Sequence, residues 1–167
     1  YGRSEALPLL WEAQTQASKR RAHVGDVAIN DVGDVDDIHP RDKRTVGERL
    51  ANLALSRTYR QADIQDQGPR FARVTREAGT LRVLFDHARG LTTRDGAPPT
   101  WFEVADHDDV FMTADATIEG EFVVLRHPKM AAPDKVRFAW DETASPNLIN
   151  GAGLPATPFR SALPRTK

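Results

Sequence analysis

Apolar side chains near the start of the chain recur at helical spacing. Residues 5–21 place side chains along one face at i, i+3, i+4 and i+7 intervals: Leu7, Leu10, Trp11, Gln14 and Ala17. This spacing predicts an amphipathic helix, with Pro8 tolerated in its first turn. The basic residues 19–21 suit the negative end of a helix dipole, so we expect the helix to end there.

A short apolar run and a second helical pattern follow. Residues 26–31 have the length of a strand, and a loop dense in carboxylates then leads to His39 and Pro40. Because proline favours the first turn of a helix, a second helix is expected from Pro40 to about Arg57. Its apolar face carries Val46, Leu50, Leu53 and Ala54. Residues 1–60 therefore predict helix, strand, acidic loop and helix.

The pattern changes after a polar stretch at residues 58–69, which we interpret as a boundary. Short alternating runs, typical of strands, then lie between turn residues: 70–76, 80–86, 101–104, 110–112, 116–118, 121–126 and 135–140. Several short strands at this spacing predict an all-β sandwich. The tail, 145–167, is rich in proline, asparagine and glycine and is expected to form an ordered irregular strap or a loose end.

The two parts predict an α/β plus all-β architecture. One strand flanked by two helices cannot bury both of its faces, because a doubly wound sheet needs several parallel strands. We therefore expect residues 1–60 to be the closing part of a larger α/β domain whose earlier strands lie elsewhere. Residues 61–167 are expected to form a β-sandwich domain with a C-terminal strap.

Composition removes several classes of function. The chain has 167 residues, a formal net charge of −1 and no cysteine. Disulfides, thiolate metal sites and a cysteine nucleophile are thereby excluded, and near-neutral charge argues against nucleic acid as a partner. No apolar run approaches the roughly 18 residues of a membrane span. The start is polar and lacks Met, so we expect no signal peptide and a processed product or a piece of a longer chain.

The candidate chemistry lies in the acidic loop, where an Asp-x-x-His spacing joins Asp36 to His39. Catalysis of the Ser-His-Asp type needs a histidine to accept a proton from a hydroxyl and a carboxylate to hold the imidazole ring. On a tight loop, the carboxylate can reach one ring nitrogen while the other nitrogen faces a cleft. Loops at strand ends are also where open α/β sheets place their sites.

Three other interpretations of this loop stay open at this point. His39 could simply cap or pack, because a single Asp-x-x-His occurs often by chance. The many aspartates could bind calcium, although the spacing does not match an EF-hand loop. A zinc site has less support, because the other histidines are scattered and none has His-x-x-x-His spacing: His23, His87, His107 and His127. We predict neither a metal nor a cofactor.

Several longer stretches together resemble the sialate O-acetylesterases, carbohydrate esterases of the SGNH hydrolase superfamily. In the first part the similar stretches are 11–14, 27–34, 37–43 and 46–51, which read WEAQ, VAINDVGD, DIHPRDK and VGERLA. In the second part they are 96–98, 101–105, 136–140, 147–150 and 153–160, which read GAP, WFEVA, VRFAW, NLIN and GLPATPFR. The resemblance covers nearly the whole chain in the family's order.

The resemblance implies a serine esterase that removes acetyl groups from sugar hydroxyls. His39 matches the catalytic histidine, Asp36 the aspartate of the superfamily's block, and Asp37 is the alternative. Sialic acid, xylan and xyloglucan acetates are all plausible substrates, and the family implies a periplasmic or secreted bacterial location. The family's nucleophile lies in a Gly-x-Ser-Asn context, which none of the serines here has: Ser4, Ser18, Ser56, Ser145 and Ser161.

The resemblance therefore implies that this chain is the C-terminal portion of an esterase. Its expected partner is the N-terminal part of the same enzyme, which would carry the serine and the oxyanion hole. The alternative is a non-catalytic carbohydrate-binding or interaction module in which His39 is structural. Its aromatic residues could stack on sugar rings, although alternating strand positions more often belong to a core: Trp101, Phe102, Phe111, Phe122, Phe138 and Trp140.

Overall fold

A computed structural model describes residues 4–37 and 39–163, and these form two helices and ten strands. The helices are α1 (Ala6–Arg20) and α2 (Lys43–Arg57). The strands are β1 (Arg70–Glu77), β2 (Thr80–Asp86), β3 (Thr92–Thr93), β4 (Phe102–Ala105), β5 (Met112–Thr113), β6 (Asp115–Glu119), β7 (Phe122–Arg126), β8 (Lys135–Phe138), β9 (Leu148–Ile149) and β10 (Phe159–Ala162). The prediction of a β-rich region is confirmed.

The strands pair into two four-stranded antiparallel sheets and one small two-stranded sheet. Their orders are β1-β2-β7-β6, β10-β8-β4-β5 and β3-β9. Alternate side chains of both larger sheets enter one core, as the fully buried Leu81, Val83, Val104 and Val136 show. Two sheets that share a core in this way form a sandwich, the arrangement that the period-two pattern predicts.

Residues 145–163 of the tail form an ordered strap, and two of its segments are strands that the sequence pattern did not reveal. Strand β10 pairs with β8, so Phe159 enters the core and stacks on Phe71 with 4.6 Å between ring centroids. Strand β9 pairs with β3. Both are short and follow irregular, proline-containing sequence, so alternation alone does not mark them. The predicted strands at 110–112 and 135–140 also shift or shorten at their ends, to β5 and β8.

The predicted strand at 26–31 is not formed among the described residues. The segment is irregular and has no ladder partner there. A strand needs a neighbour to accept its backbone hydrogen bonds, and residues 4–37 and 39–163 offer this segment none. The α/β/α catalytic architecture is therefore not seen in this structure, which shows two helices beside a sandwich.

The second helix begins later than predicted. It starts at Lys43 rather than in the turn that contains Pro40, because Asp42 acts as its N-cap and its carboxylate accepts a hydrogen bond from Thr45 N at 2.9 Å. Its end at Arg57 is as predicted. Leu53 is the buried apolar residue of the helix, and it packs against Gly25.

Charged pairs attach the helical region to the sandwich. Glu12 of α1 accepts two hydrogen bonds from Arg160 of β10, at 3.0 and 2.9 Å, and the Arg160 guanidinium lies 4.8 Å from the ring centroid of Trp140. Arg70 of β1 lies 2.8 Å from Asp26. Arg160 therefore pairs with the Glu12 carboxylate. Neither described helix is long and apolar enough to cross a membrane.

Candidate active site

The acidic loop runs from residue 32 to residue 42 and is anchored at both ends. At its start, Asp31 accepts two hydrogen bonds from the Arg49 guanidinium, each 2.6 Å long. At its end, Asp42 caps α2, and the hydrogen bonds from Thr45 hold the pKa of the Asp42 carboxyl below its ordinary value. Contacts with α2 therefore hold both ends of the loop in place.

Two consecutive aspartate turns shape the middle of the loop. Asp34 Oδ1 accepts from Asp36 N at 2.9 Å, and Asp37 Oδ1 accepts from His39 N at 2.8 Å. Aspartate favours such turns because its short side chain reaches the backbone two residues ahead. Ile38, between the second pair, lies outside the described residues. Asp34 thus shapes the loop.

The structure brings the three predicted site residues onto one exposed stretch. His39 and Asp36 are exposed, and Asp37 is half-buried. Asp37 contacts the backbone of His39 rather than its ring, and the Asp36 carboxylate has no hydrogen bond within the described part of the chain. The assignment of Asp36 or Asp37 as the aspartate that holds the ring therefore remains a prediction.

A serine nucleophile is not joined to this histidine within residues 4–37 and 39–163. No hydrogen bond there links a serine hydroxyl to His39, and the Ser18 hydroxyl donates to the Thr15 carbonyl at 2.9 Å instead.

A second cluster of possible ligands lies on an exposed turn of the sandwich. Asp106, His107 and Asp108 bring one potential ligand atom each within 4.8 Å of one another. His107 Nε2 lies 2.9 Å from Asp108 Oδ1, so a direct contact between these two side chains already accounts for the arrangement. We assign no metal to it, because exposed acidic groups commonly cluster without one.

Sequence reasoning missed Arg49 as a residue of the site. Arg49 is 9% exposed and binds both Asp31 and the carbonyl oxygen of Ala28. Its position gives a signal, since it lies three residues after Val46 and four before Leu53, on the apolar stripe of the helix. A charged residue on such a stripe indicates a buried partner of opposite charge.

An apolar groove lies beside the loop's origin, between the two helices and the irregular segment 26–30. Its volume is about 550 Å³. Several of its apolar side chains are more than a third exposed: Leu10 (51%), Val24 (44%), Ile29 (38%) and Leu50 (48%). Asn30 also lines it, and its Oδ1 atom is buried without a hydrogen-bond partner among the described residues.

Comparison with known proteins gives one informative result. No protein-family model matches the chain, and no curated protein matches it. Among solved structures, it is similar to a novel carbohydrate acetylesterase from Xanthomonas citri, with 36% sequence identity and a TM-score of 0.85. The match covers 90% of this chain and 34% of that chain, so this chain spans about a third of the length of that protein. The uncovered tenth is smaller than either part of the chain, so the likeness includes both the helical region and the sandwich.

Proposed function

We propose that this chain is part of a carbohydrate acetylesterase and supplies the histidine and aspartate of a Ser-His-Asp triad. The observation that carries the proposal is the 36% identity to the Xanthomonas citri acetylesterase over 90% of the chain. The finer assignment is to the SGNH-type sialate O-acetylesterases, with residues 1–60 as the closing part of the α/β/α catalytic domain. It rests on the sequence motifs around His39.

In the proposed reaction, a serine from another segment attacks the acetyl carbonyl while His39 accepts the serine proton. His39 then donates that proton to the sugar oxygen as the C–O bond breaks, which releases the deacetylated sugar and leaves an acetyl-enzyme. Water hydrolyses the acetyl-enzyme by the same route and yields acetate. Asp36 would hold the imidazole ring and stabilise its charged form, with Asp37 as the alternative.

The placement of His39 suits this role. His39 is exposed on a loop whose ends are fixed by α2, so a serine from another segment can approach it. Loops supported by a rigid scaffold are common locations for catalytic residues.

The proposed partner is the N-terminal part of the same esterase, seated in the apolar groove. The backbone N–H groups of segment 26–30 have no acceptor among the described residues, Leu10 and Leu50 offer apolar surface, and Asn30 Oδ1 has no donor among those residues. A neighbouring strand with apolar side chains would satisfy all three features. The two thirds of the Xanthomonas citri protein that this chain does not match could supply such a strand.

Acetate release by the complete esterase tests the proposal. Acetylated xylan, xyloglucan and sialic acid would be compared as substrates, which addresses the sugar as well as the reaction. His39→Ala is expected to lower kcat by about three orders of magnitude or more. His23→Ala, a change at another exposed histidine of the helical region, is the matched control and should leave kcat unchanged. Normal turnover by His39→Ala would overturn the assignment of His39.

A second candidate function is carbohydrate binding by the sandwich without catalysis. One observation favours it: the Trp101 side chain is 38% exposed, whereas Phe102 and Phe138 lie in the core. An exposed indole can stack on a sugar ring. Binding to polysaccharide that Trp101→Ala abolishes, together with no acetate release by the complete protein, would favour this alternative.

A further inference from the structure

We infer that Arg49 is a positioning residue for the loop that carries Asp36, Asp37 and His39. This inference rests on the proposed esterase function for its catalytic meaning. In structural terms, the buried guanidinium of Arg49 fixes the position at which the loop begins, after Asp31. Arg49 acts through Asp31 and the backbone of Ala28, not through contact with the substrate.

The Arg49 guanidinium donates three hydrogen bonds to segment 26–31. Nη1 donates to Ala28 O at 2.7 Å and to Asp31 Oδ1 at 2.6 Å, and Nη2 donates to Asp31 Oδ2 at 2.6 Å. The side chains of Arg49 and Asp31 are only 10% and 13% exposed. A planar guanidinium matches a carboxylate in this two-pronged geometry, whereas a lysine ammonium does not.

Apolar packing alone does not explain why the charged pair of Arg49 and Asp31 is buried at this position. One turn later on the same face, Leu53 packs against Gly25 with apolar contact. An apolar residue at position 49 would therefore fit the stripe, and buried ion pairs often stabilise a fold no better than apolar packing does. The guanidinium contributes a defined geometry, because its hydrogen bonds hold the Ala28 carbonyl and the Asp31 carboxylate in fixed positions relative to α2.

The loop beyond Asp31 depends on this anchor. Its described hydrogen bonds are local, from Val32 N to Ile29 O at 3.2 Å and within the two aspartate turns. Such bonds shape the loop without fixing its position on the body of the protein. Arg49 at the start and the Asp42 cap at the end therefore set the position of His39. A displacement of about 1 Å at a catalytic group can cost on the order of 100-fold in rate.

The test compares two lysine variants of the complete esterase. Arg49→Lys keeps the positive charge and loses the two-pronged geometry. It should lower kcat about 10- to 100-fold and leave KM within about threefold, since no substrate contact is removed. Arg57→Lys is the matched control, because Arg57 lies on the same helix and pairs with Asp66 at 2.7 Å, far along the chain from the loop. It should leave both constants unchanged.

Hydrogen exchange gives a second readout that does not depend on activity. In Arg49→Lys, amides of residues 32–37 should exchange faster than in the parent, while those of the sandwich strands should not change. Native kcat in folded Arg49→Lys, or unchanged exchange in the loop, would overturn the inference. If the parent enzyme releases no acetate, the proposed function fails by itself, and exchange in the loop still decides whether Arg49 positions it.

Discussion

Asp37 Oδ1 accepts a hydrogen bond from the backbone N–H of His39 over 2.8 Å, so the carboxylate of Asp37 closes the turn that presents the histidine. One of the two carboxylate oxygens of Asp37 is therefore occupied by this backbone hydrogen bond. Asp36 lies three residues before the histidine, is exposed and keeps its carboxylate free of hydrogen bonds within the described residues. From this difference we expect the two aspartates to have separate roles in the proposed triad.

The first prediction compares Asp36→Asn with Asp37→Asn in the complete esterase. If Asp36 holds the His39 ring, its amide variant should lower kcat by about 10⁴-fold, because an amide favours the wrong tautomer of the histidine. Asp37→Asn should have a much smaller effect, since its amide oxygen can still accept from the His39 backbone. The measurement is kcat for acetate release, with unfolding temperature as the control for folding. A larger loss in Asp37→Asn would reassign the aspartate to position 37.

The second prediction concerns the apolar groove. Ile29→Asp places a charge on a side chain that is 38% exposed and lines the groove, so it should weaken association with the proposed partner, the N-terminal part of an esterase. Val110→Asp is the matched control, because Val110 is 60% exposed on the sandwich and outside the groove. The two parts would be produced separately and their association measured by calorimetry. Equal binding by both variants would place the partner on another surface.

The third prediction uses a close approach between two backbone segments. A Cβ atom at position 68 would clash with the carbonyl oxygen of Pro155, so Gly68→Ala must push the strap away from the start of β1. Overpacking of this kind costs roughly 1–3 kcal/mol of unfolding free energy. Gly33→Ala is the control, because within the described part of the chain no atom beyond the neighbouring residues lies within 4 Å of its added Cβ. Urea unfolding of both variants checks the difference, and equal stability would contradict it.

The sandwich was largely predictable because its strands alternate. In β2, Leu81, Val83 and Phe85 point into the core and the residues between them do not, and this period of two is visible in the sequence. Strand β10 was not predictable, because its four residues follow a proline-rich segment and only pairing with β8 makes them a strand. For segment 26–31 the sequence pattern predicts a strand that is not present among the described residues. Its apolar run predicts a strand, but without a partner it forms no ladder.

The residues of the candidate site are a prediction from the sequence, and their geometry could not be predicted from it. The Asp-x-x-His spacing marks Asp36 and His39, yet no local pattern says that Asp37 binds the His39 backbone. The role of Arg49 depends on Asp31, 18 residues earlier in the chain, and such pairing is set by how α2 packs rather than by local sequence. The charge at position 49 on an apolar stripe is the one local signal for it.

The fourth prediction concerns the cap of α2 and its dependence on pH. Hydrogen bonds from Thr45 lower the pKa of Asp42 below its ordinary value of 3.8, so the folded state favours the carboxylate. The carboxylate also suits the positive end of the helix dipole. The stability that this cap contributes is therefore complete above pH 3.8 and is lost as the pH falls through the lower pKa of the folded state.

Asp42→Asn isolates this contribution, because asparagine is a comparable cap that does not titrate. Near neutral pH the two proteins should have similar unfolding temperatures. As the pH falls below 3.8, the parent should lose stability relative to Asp42→Asn, since only the parent must protonate its cap. Thermal unfolding at a series of pH values measures the difference, and every other carboxyl group cancels in the subtraction. A difference that stays constant from neutral pH into that acidic range would show that the Thr45 hydrogen bonds do not depend on the charge of Asp42.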